Sequence, residues 1–308
     1  MRAATITHWD LDGLVSASII WRKLKPVKQV LSSVTALPRK LYEIVESTPG
    51  IRELWIADLN PQPDEVEQLA GMLGAIVRRG VRVIWVDHHE WSEGASKLAD
   101  SLGPGLEIYL DRDATSAESV ARLLGVAGDA LVQKMIELAR DDDYMLGKYE
   151  LTKVWRRVLR WYGWEVRYRA LESLKQGDMA PHWLVELYET EVKNVYENLI
   201  REAIARMDII RRDGHTIIVF PDVDPRVHPG ELVEVAKSNG LFAHVYVARY
   251  PRGISLRSDY VDVSEIAVGF GGGGHQRAAG IPSSVPLASL AEKIFRLLEK
   301  REIGGRRA

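Results

Sequence analysis

Three short clusters in the first ninety residues carry side chains suited to hard metal ions. They are His8, Asp10 and Asp12 in HWDLDG, Asp58 in ADLNP, and Asp87, His88 and His89 in VDHHE. Each stands just after an apolar, β-branched run: AATIT, ELWIA and VRVIW. In open α/β sheets, ligands bind outside the carboxyl ends of the strands, so three strand ends would bring these groups to one rim. Residues i, i+2 and i+4 of an extended segment share a side, which lets His8, Asp10 and Asp12 converge. Gly13 then frees the turn into the helix-like LVSASIIWRKL. Buried charges must be paired or coordinate a metal. Carboxylate oxygens and imidazole nitrogens with no thiol describe a divalent-cation site, and the chemistry expected of it is metal-assisted phosphoester hydrolysis. Taken alone, the first cluster could merely cap the helix, as aspartates often do; three clusters in the same context favour the metal.

The elements needed to position these residues are legible up to about residue 140. VKQVLSS, ELWIAD, VRVIWVD and LEIYL read as strands, alternating with helices in PRKLYEIVEST, PDEVEQLAGMLGAIVRRG and TSAESVARLLG. PDEVEQLAGMLGAIVRRG has acid at its start and Arg-Arg-Gly at its end, as the helix dipole and C-cap rules ask. In the last, Thr115 or Ser116 is the N-cap, with Glu118 near the capping-box position. Such alternation implies a parallel, doubly wound sheet.

From about residue 129 to 212 the pattern is helical. ALVQKMIELAR ends in Asp141-Asp142-Asp143, a further source of carboxylate or else a solvated acidic turn. Trp155, Trp161, Trp164 and Trp183 are interleaved with arginines and tyrosines in the stretch that follows. That composition suits a packed core or a subunit interface, with Trp155, Leu159 and Tyr162 on one stripe; a base-stacking platform is the other reading. After Pro181, Leu184, Tyr188, Val192, Val195, Leu199, Ala203 and Met207 recur at helical spacing, which predicts one amphipathic helix of about thirty residues, ~45 Å long. A second, smaller and mixed α/β unit begins at HTIIVF. It continues through PGELVEVAKSNG, LFAHVYVARY and GISLRS to the loop GFGGGGHQRAAG and a final helix from Pro286. Glycines let a backbone approach an anion and aim its amides at it. Gly272, Gly273 and Gly274 with His275, Arg277, Arg257 and Ser258 are therefore candidate phosphate contacts, with AAG expected to open the next helix.

Composition narrows the setting. The 308 residues suggest two domains, and 46% hydrophobic content is ample for packed cores. With no cysteine, disulfides and thiolate zinc sites are excluded. A net charge of −2 argues against coating nucleic acid by bulk positive charge and favours a few phosphates held locally, as on single strands, ends or short oligomers. The sequence lacks a signal-peptide pattern or a membrane-length apolar run, so a cytoplasmic protein is expected.

HWDLDG, then Asp58 after a strand, then Asp87-His88-His89, resemble the first three motifs of the DHH phosphoesterases. ISLRS with GFGGGGHQRAAG at 269–280 is similar to the nucleotide-binding signature of the DHHA1 domain. The resemblance covers nearly the whole chain and implies a DHH domain at 1–145, a helical insertion and linker at 146–212 and a DHHA1 substrate-binding domain at 213–308. It also implies two Mn²⁺ ions, with Mg²⁺ or Co²⁺ as substitutes. His8, Asp10 and Asp58 would hold one, and Asp12, Asp58, His88 and Asp141 the other, with Asp142 next in line for the last position. The family's fourth motif has a single aspartate where this chain has three. His89 would contact the phosphate and Asp87 orient a ligand imidazole. The chain looks most like the archaeal DHH nucleases of the Hef-associated type, related to RecJ and nanoRNase, which trim single strands from the 3′ end. The partners implied are single-stranded DNA or RNA, short oligonucleotides, further copies of the chain and a repair helicase or nuclease. NanoRNase, 3′-phosphoadenosine-5′-phosphate phosphatase and cyclic-dinucleotide phosphodiesterase activities remain alternatives, as does an inactive RecJ-like scaffold.

Overall fold

The computed structural model describes residues 2–91, 95, 97–98 and 103–305. The chain divides into two compact units, residues 1–188 and 189–308. The division falls inside the helical stretch, so the tryptophan-rich helices belong to the first unit.

In the first unit, β1 (Ala3–His8), β2 (Lys28–Ser32), β3 (Glu53–Ala57), β4 (Arg82–Asp87) and β5 (Leu106–Leu110) form an all-parallel sheet in the order β2-β1-β3-β4-β5. These are the runs whose β-branched and aromatic content favours a pleated, buried surface. Helices α1 (Leu11–Leu24), α2 (Leu37–Ser47) and α3 (Val66–Arg78) make the crossovers from β1 to β4, and α4 (Ser116–Leu123) follows β5. One core joins Ile6, Ile56 and Trp85 of the sheet to Leu41, Leu69 and Leu73 of α2 and α3, all fully buried. Strand order reverses between β1 and β3, the point at which ligands bind in sheets of this order. The expected α/β class and parallel sheet are what the structure has.

Helices α5 (Ala130–Asp143), α6 (Glu150–Trp161), α7 (Trp164–Lys175) and α8 (His182–Leu187) complete the unit. Asp129 caps α5 by accepting the Leu131 and Val132 amides. Trp155 and Leu159 of α6 are buried, with the Trp155 indole donating to Met179 O, so this stripe is core. α7 is tied down at its middle and its C-terminal end: Tyr168 Oη accepts the Leu31 amide of edge strand β2, and Arg22 of α1 donates to Lys175 O.

The single long helix expected after Pro181 is shorter than thirty residues and runs through α8, a π-helical turn at Tyr188–Val192 and α9 (Lys193–Ala205). It stops before residue 207 because Asp208–Arg212 is strand β6, hairpinned onto β7 (His215–Phe220) through Asp213 and Gly214, both at positive φ. The second unit adds α10 (Pro229–Ser238), β8 (Val245–Tyr250), β9 (Gly253–Arg257), α11 (Val263–Val268), β10 (Gly273–His275), β11 (Ala278–Ile281) and α12 (Leu287–Gly305). Its sheet runs β10-β11-β9-β8-β7-β6, and β7–β8 is its one parallel pair among the described strands. Ile217, Val247, Leu256, Ile266, Leu290 and Phe295 fill its core. Here AAG does not open a helix. Ala278–Ile281 pairs antiparallel with both β9 and β10, so the glycine segment is a hairpin.

Candidate metal centre

β1, β3 and β4 end level with one another, and their last residues or the next ones carry the three clusters. His8 closes β1, Asp58 follows β3, and Asp87 closes β4. Gly13 lets the first turn of α1 close onto β1: a Cβ there would lie 2.3 Å from the His8 carbonyl oxygen. That contact folds Asp10 and Asp12 back over the strand end. Asp10 is also the N-cap of α1, accepting the Gly13 amide at 3.2 Å, so its capping and ligand readings are compatible. Asp58 has φ 61°, a left-handed conformation that aspartate tolerates better than most residues and that turns its chain at the rim.

The groups converge. His8 Nδ1 lies 2.7 Å from Asp10 Oδ2 and 3.7 Å from Asp58 Oδ2. His88 Nε2 lies 3.4 Å from Asp58 Oδ1 and 4.0 Å from Asp12 Oδ2. Two sets of potential ligand atoms result, His8 with Asp10 and Asp58, and Asp58 with Asp87, His88 and His89. Asp58 belongs to both.

Supporting contacts fix these side chains. Asp12 accepts the Ser116 and Ala117 amides at 2.8 and 3.0 Å, the first turn of α4, and the Ser116 hydroxyl reaches Asp58 Oδ1 at 3.4 Å. Asp87, fully buried, accepts the Trp91 indole at 2.6 Å and the His88 amide at 2.9 Å and holds His89 Nδ1 at 2.7 Å. Burial works against the charged His89 ring, but the Asp87 charge and hydrogen bond override it and lift the ring's pKa to about 9. Burial would likewise raise Asp87; its histidine neighbours, above all His89, and Trp91 hold it down at about 2. Asp58 is pushed well up, first by burial and then by the charges of Asp10 and Asp12. Burial also raises Asp12, to about 6, against the pull of His88.

The fourth-motif expectation is corrected. Asp141 turns away from the cluster: it accepts the Lys148 and Tyr149 amides at 2.7 and 3.1 Å and the Thr152 hydroxyl, satisfying the start of α6. Asp142 is held by Arg156 Nε at 2.7 Å. The carboxylate that reaches the cluster is Asp143, whose Oδ2 lies 3.5 Å from His88 Nε2. Successive helical residues point about 100° apart, so only one of three consecutive aspartates can face the sheet rim. Trp91 and Ser116 were also missed; the only signals for them are an indole four residues after Asp87 and a hydroxyl beside an N-cap.

The residues present fit a divalent cation. Two acidic groups driven upward by burial and by neighbouring carboxylates, imidazoles at their edges and a buried Asp58 Oδ2 with no hydrogen-bond partner among the described residues are what a cation would satisfy.

In the second unit, Arg257, the glycines, His275 and Arg277 share one corner. Arg257 on β9 faces Ala278 across the ladder, and Ala278 faces His275. Gly272 and Gly274 are required by close approach, since a Cβ would fall 2.0 Å from Gly280 O and 2.6 Å from Ala278 O. Ser258 is committed elsewhere: its buried hydroxyl donates to His244 O and accepts the Tyr260 and Val261 amides, pinning the turn after β9.

The fold and site together define an α/β domain with a candidate metal centre and a smaller mixed α/β domain. No protein-family model and no curated protein matches the sequence. Among solved structures the chain is similar to exonuclease RecJ bound to manganese, with 18% identity, a TM-score of 0.57 and coverage of 96% of this chain and 89% of that one. It is also similar to an exopolyphosphatase-related protein from Bacteroides fragilis (14% identity, TM-score 0.56, 97% and 92% covered). A pGpG-specific phosphodiesterase from Vibrio cholerae aligns over 96% of this chain and 97% of its own, at 13% identity and a TM-score of 0.53. These are DHH-type folds, and this chain has that fold.

Proposed function

We propose that this protein is a divalent-metal-dependent phosphodiesterase, Mn²⁺ being the preferred ion, that shortens single-stranded nucleic acid from its 3′ end. The observation that carries the reading is Asp58, a buried carboxylate shared by two sets of ligand atoms. In this reading His8, Asp10 and Asp58 hold one ion, and Asp12, Asp58, His88 and Asp143 hold the other. Bound there, the ions would supply an activated water and stabilise charge on the phosphoryl oxygens. Asp87 holds His89 by Nδ1, so the protonated ring presents Nε2–H as a donor to a nonbridging phosphate oxygen. Ser116 and the α4 amides keep Asp58 and Asp12 in place without competing for the substrate.

Oxygen-rich ligation suits Mn²⁺, Mg²⁺ or Co²⁺, and the similar RecJ structure is bound to manganese. The second unit would hold a terminal nucleotide or nonreacting phosphate through Arg257, His275 and Arg277.

The test is incubation with Mn²⁺ and 5′-labelled single-stranded DNA, single-stranded RNA, a dinucleotide, or 3′-phosphoadenosine-5′-phosphate. The expected result is a ladder of progressively shorter labelled strands, with duplex resistant. Cleavage confined to the dinucleotide would point to a nanoRNase, and phosphate released from the last substrate alone to a phosphatase. No turnover of any substrate would overturn the enzymatic reading.

A further inference from the structure

The metal cluster accounts for His8 and Asp10 but not for the residue between them. Trp9 is half-buried, its ring 5.2 Å from that of His8, and a guanidinium lies over its face: Arg167 Cζ is 3.9 Å from the indole centroid. The same guanidinium lies 4.9 Å from the centroid of Trp164, which is 42% exposed. Arg167 is therefore clamped between two indoles, and its Nε–H is spent on Leu159 O at 3.0 Å. Helix α7, which carries Arg167 and Trp164, is anchored through Tyr168 and Lys175, so the arrangement is built into the fold.

No carboxylate lies within ion-pair distance of Arg167 among the described residues. Its half-burial, and then the nearby charge of Arg160, disfavour the cation and outweigh the pull of Asp10, bringing its pKa down to about 10. A guanidinium placed so is short of an anion. Arginine stacked on aromatics retains the planar fork of donors that matches a phosphate, and an exposed indole beside it offers a face to a base.

We infer that Arg167, clamped between Trp9 and Trp164 beside the metal cluster, is the contact for a substrate phosphate, and that the exposed face of Trp164 receives the adjoining nucleobase. This rests on the phosphodiesterase reading and deepens it: the substrate is a nucleotide held by one phosphate and one base next to the ions. Arg167 acts on binding, since it holds a group other than the one being attacked.

The experiment uses the full chain with Mn²⁺ and 5′-AMP, followed by tryptophan fluorescence, with adenosine and ribose 5-phosphate as partial ligands. Saturable quenching by 5′-AMP is expected, with adenosine weaker for want of the phosphate. Arg167→Gln should weaken 5′-AMP on the order of tenfold, and Arg167→Lys less, because one charge-assisted fork is lost or reduced. Trp164→Ala should weaken 5′-AMP about tenfold, read by calorimetry, and ribose 5-phosphate less, since base stacking is removed while Trp9 and the Leu159 carbonyl still hold Arg167. In hydrolysis of a single-stranded oligonucleotide, Arg167→Gln should raise KM with kcat near normal. Unchanged 5′-AMP affinity and unchanged KM in Arg167→Gln and Trp164→Ala, in an enzyme that still hydrolyses phosphodiesters, would overturn this inference alone. An absence of Mn²⁺-dependent hydrolysis in the wild type would overturn the phosphodiesterase reading instead. Thermal denaturation of Arg167→Lys and Arg167→Gln separates lost binding from lost folding: a binding defect in variants that melt like the wild type supports the role.

Discussion

Among the described residues Asp58 alone belongs to both sets of potential ligand atoms, in a left-handed backbone conformation that few side chains accept. Removing it with Asp58→Ala should abolish hydrolysis while the sheet remains folded, because the carboxylate is a source of repulsion in the metal-free protein. The triple aspartate gives a sharper discrimination. Asp143→Ala should lower kcat on the order of a hundredfold, as expected where charge stabilisation of several kcal/mol is disturbed. Asp141→Ala should instead lower thermal stability, since two amides and the Thr152 hydroxyl lose their acceptor at the start of α6. If Asp141→Ala is the dead enzyme and Asp143→Ala turns over normally, the assignment from geometry is wrong. Asp87→Asn keeps the shape but removes the charge that holds His89 protonated, and a loss of about 10–100-fold in activity or metal affinity is expected of such an outer partner.

At the level of elements, what could be read from the chain depended on how local the cause was. β1, β3 and β4 were legible because an apolar, β-branched run reports its own burial, and their ends carried the chemistry. β6 was not: Asp208–Arg212 is five exposed residues following a helical pattern, and its pairing with β7 rests on the Asp213-Gly214 turn. The AAG of the glycine motif misled for a similar reason. Alanine favours a helix in isolation, whereas the strand exists because β9 lies alongside. The choice among Asp141, Asp142 and Asp143 turns on the rotational phase of α5 against the sheet, which no local spacing encodes. Gly13 illustrates a local rule with a site consequence. Gly13→Ala would place a methyl against the His8 carbonyl, and backbone must move to admit it. The expected cost is about 1–3 kcal/mol, with weakened Mn²⁺ binding measured by calorimetry, because His8 and Asp10 shift together. Unchanged metal affinity would mean that the turn is not what positions them.

For the whole molecule, the crowded acids tie stability to pH and metal. Asp12 has its pKa raised from 3.8 to about 6, and Asp58 is raised well above the same value. The unfolded chain releases these protons near pH 4, while the folded protein retains them longer. Their contribution therefore favours the folded state at low pH and is lost as pH rises through the folded values. His89, raised from 6.5 to about 9, contributes fully below pH 6.5 and loses that contribution on the way to pH 9. Asp10 and Asp87 are depressed, so their stabilisation is already complete above about pH 5 and adds no slope beyond it. All the sloping contributions at the site point the same way, and the chelator-treated protein should melt at progressively lower temperature from pH 5.5 to pH 8.5. Cation binding requires the deprotonated ligands and releases their protons, so affinity rises with pH. The stabilisation conferred by Mn²⁺, about 2.7 kcal/mol at a hundredfold excess over Kd, should grow across the same range and flatten or reverse the decline. Scanning fluorimetry at four pH values, with chelator or with Mn²⁺, measures both slopes. Parallel curves with and without the ion would show that the acids at the β1, β3 and β4 ends do not hold it, and Asp58→Ala should abolish the difference between them.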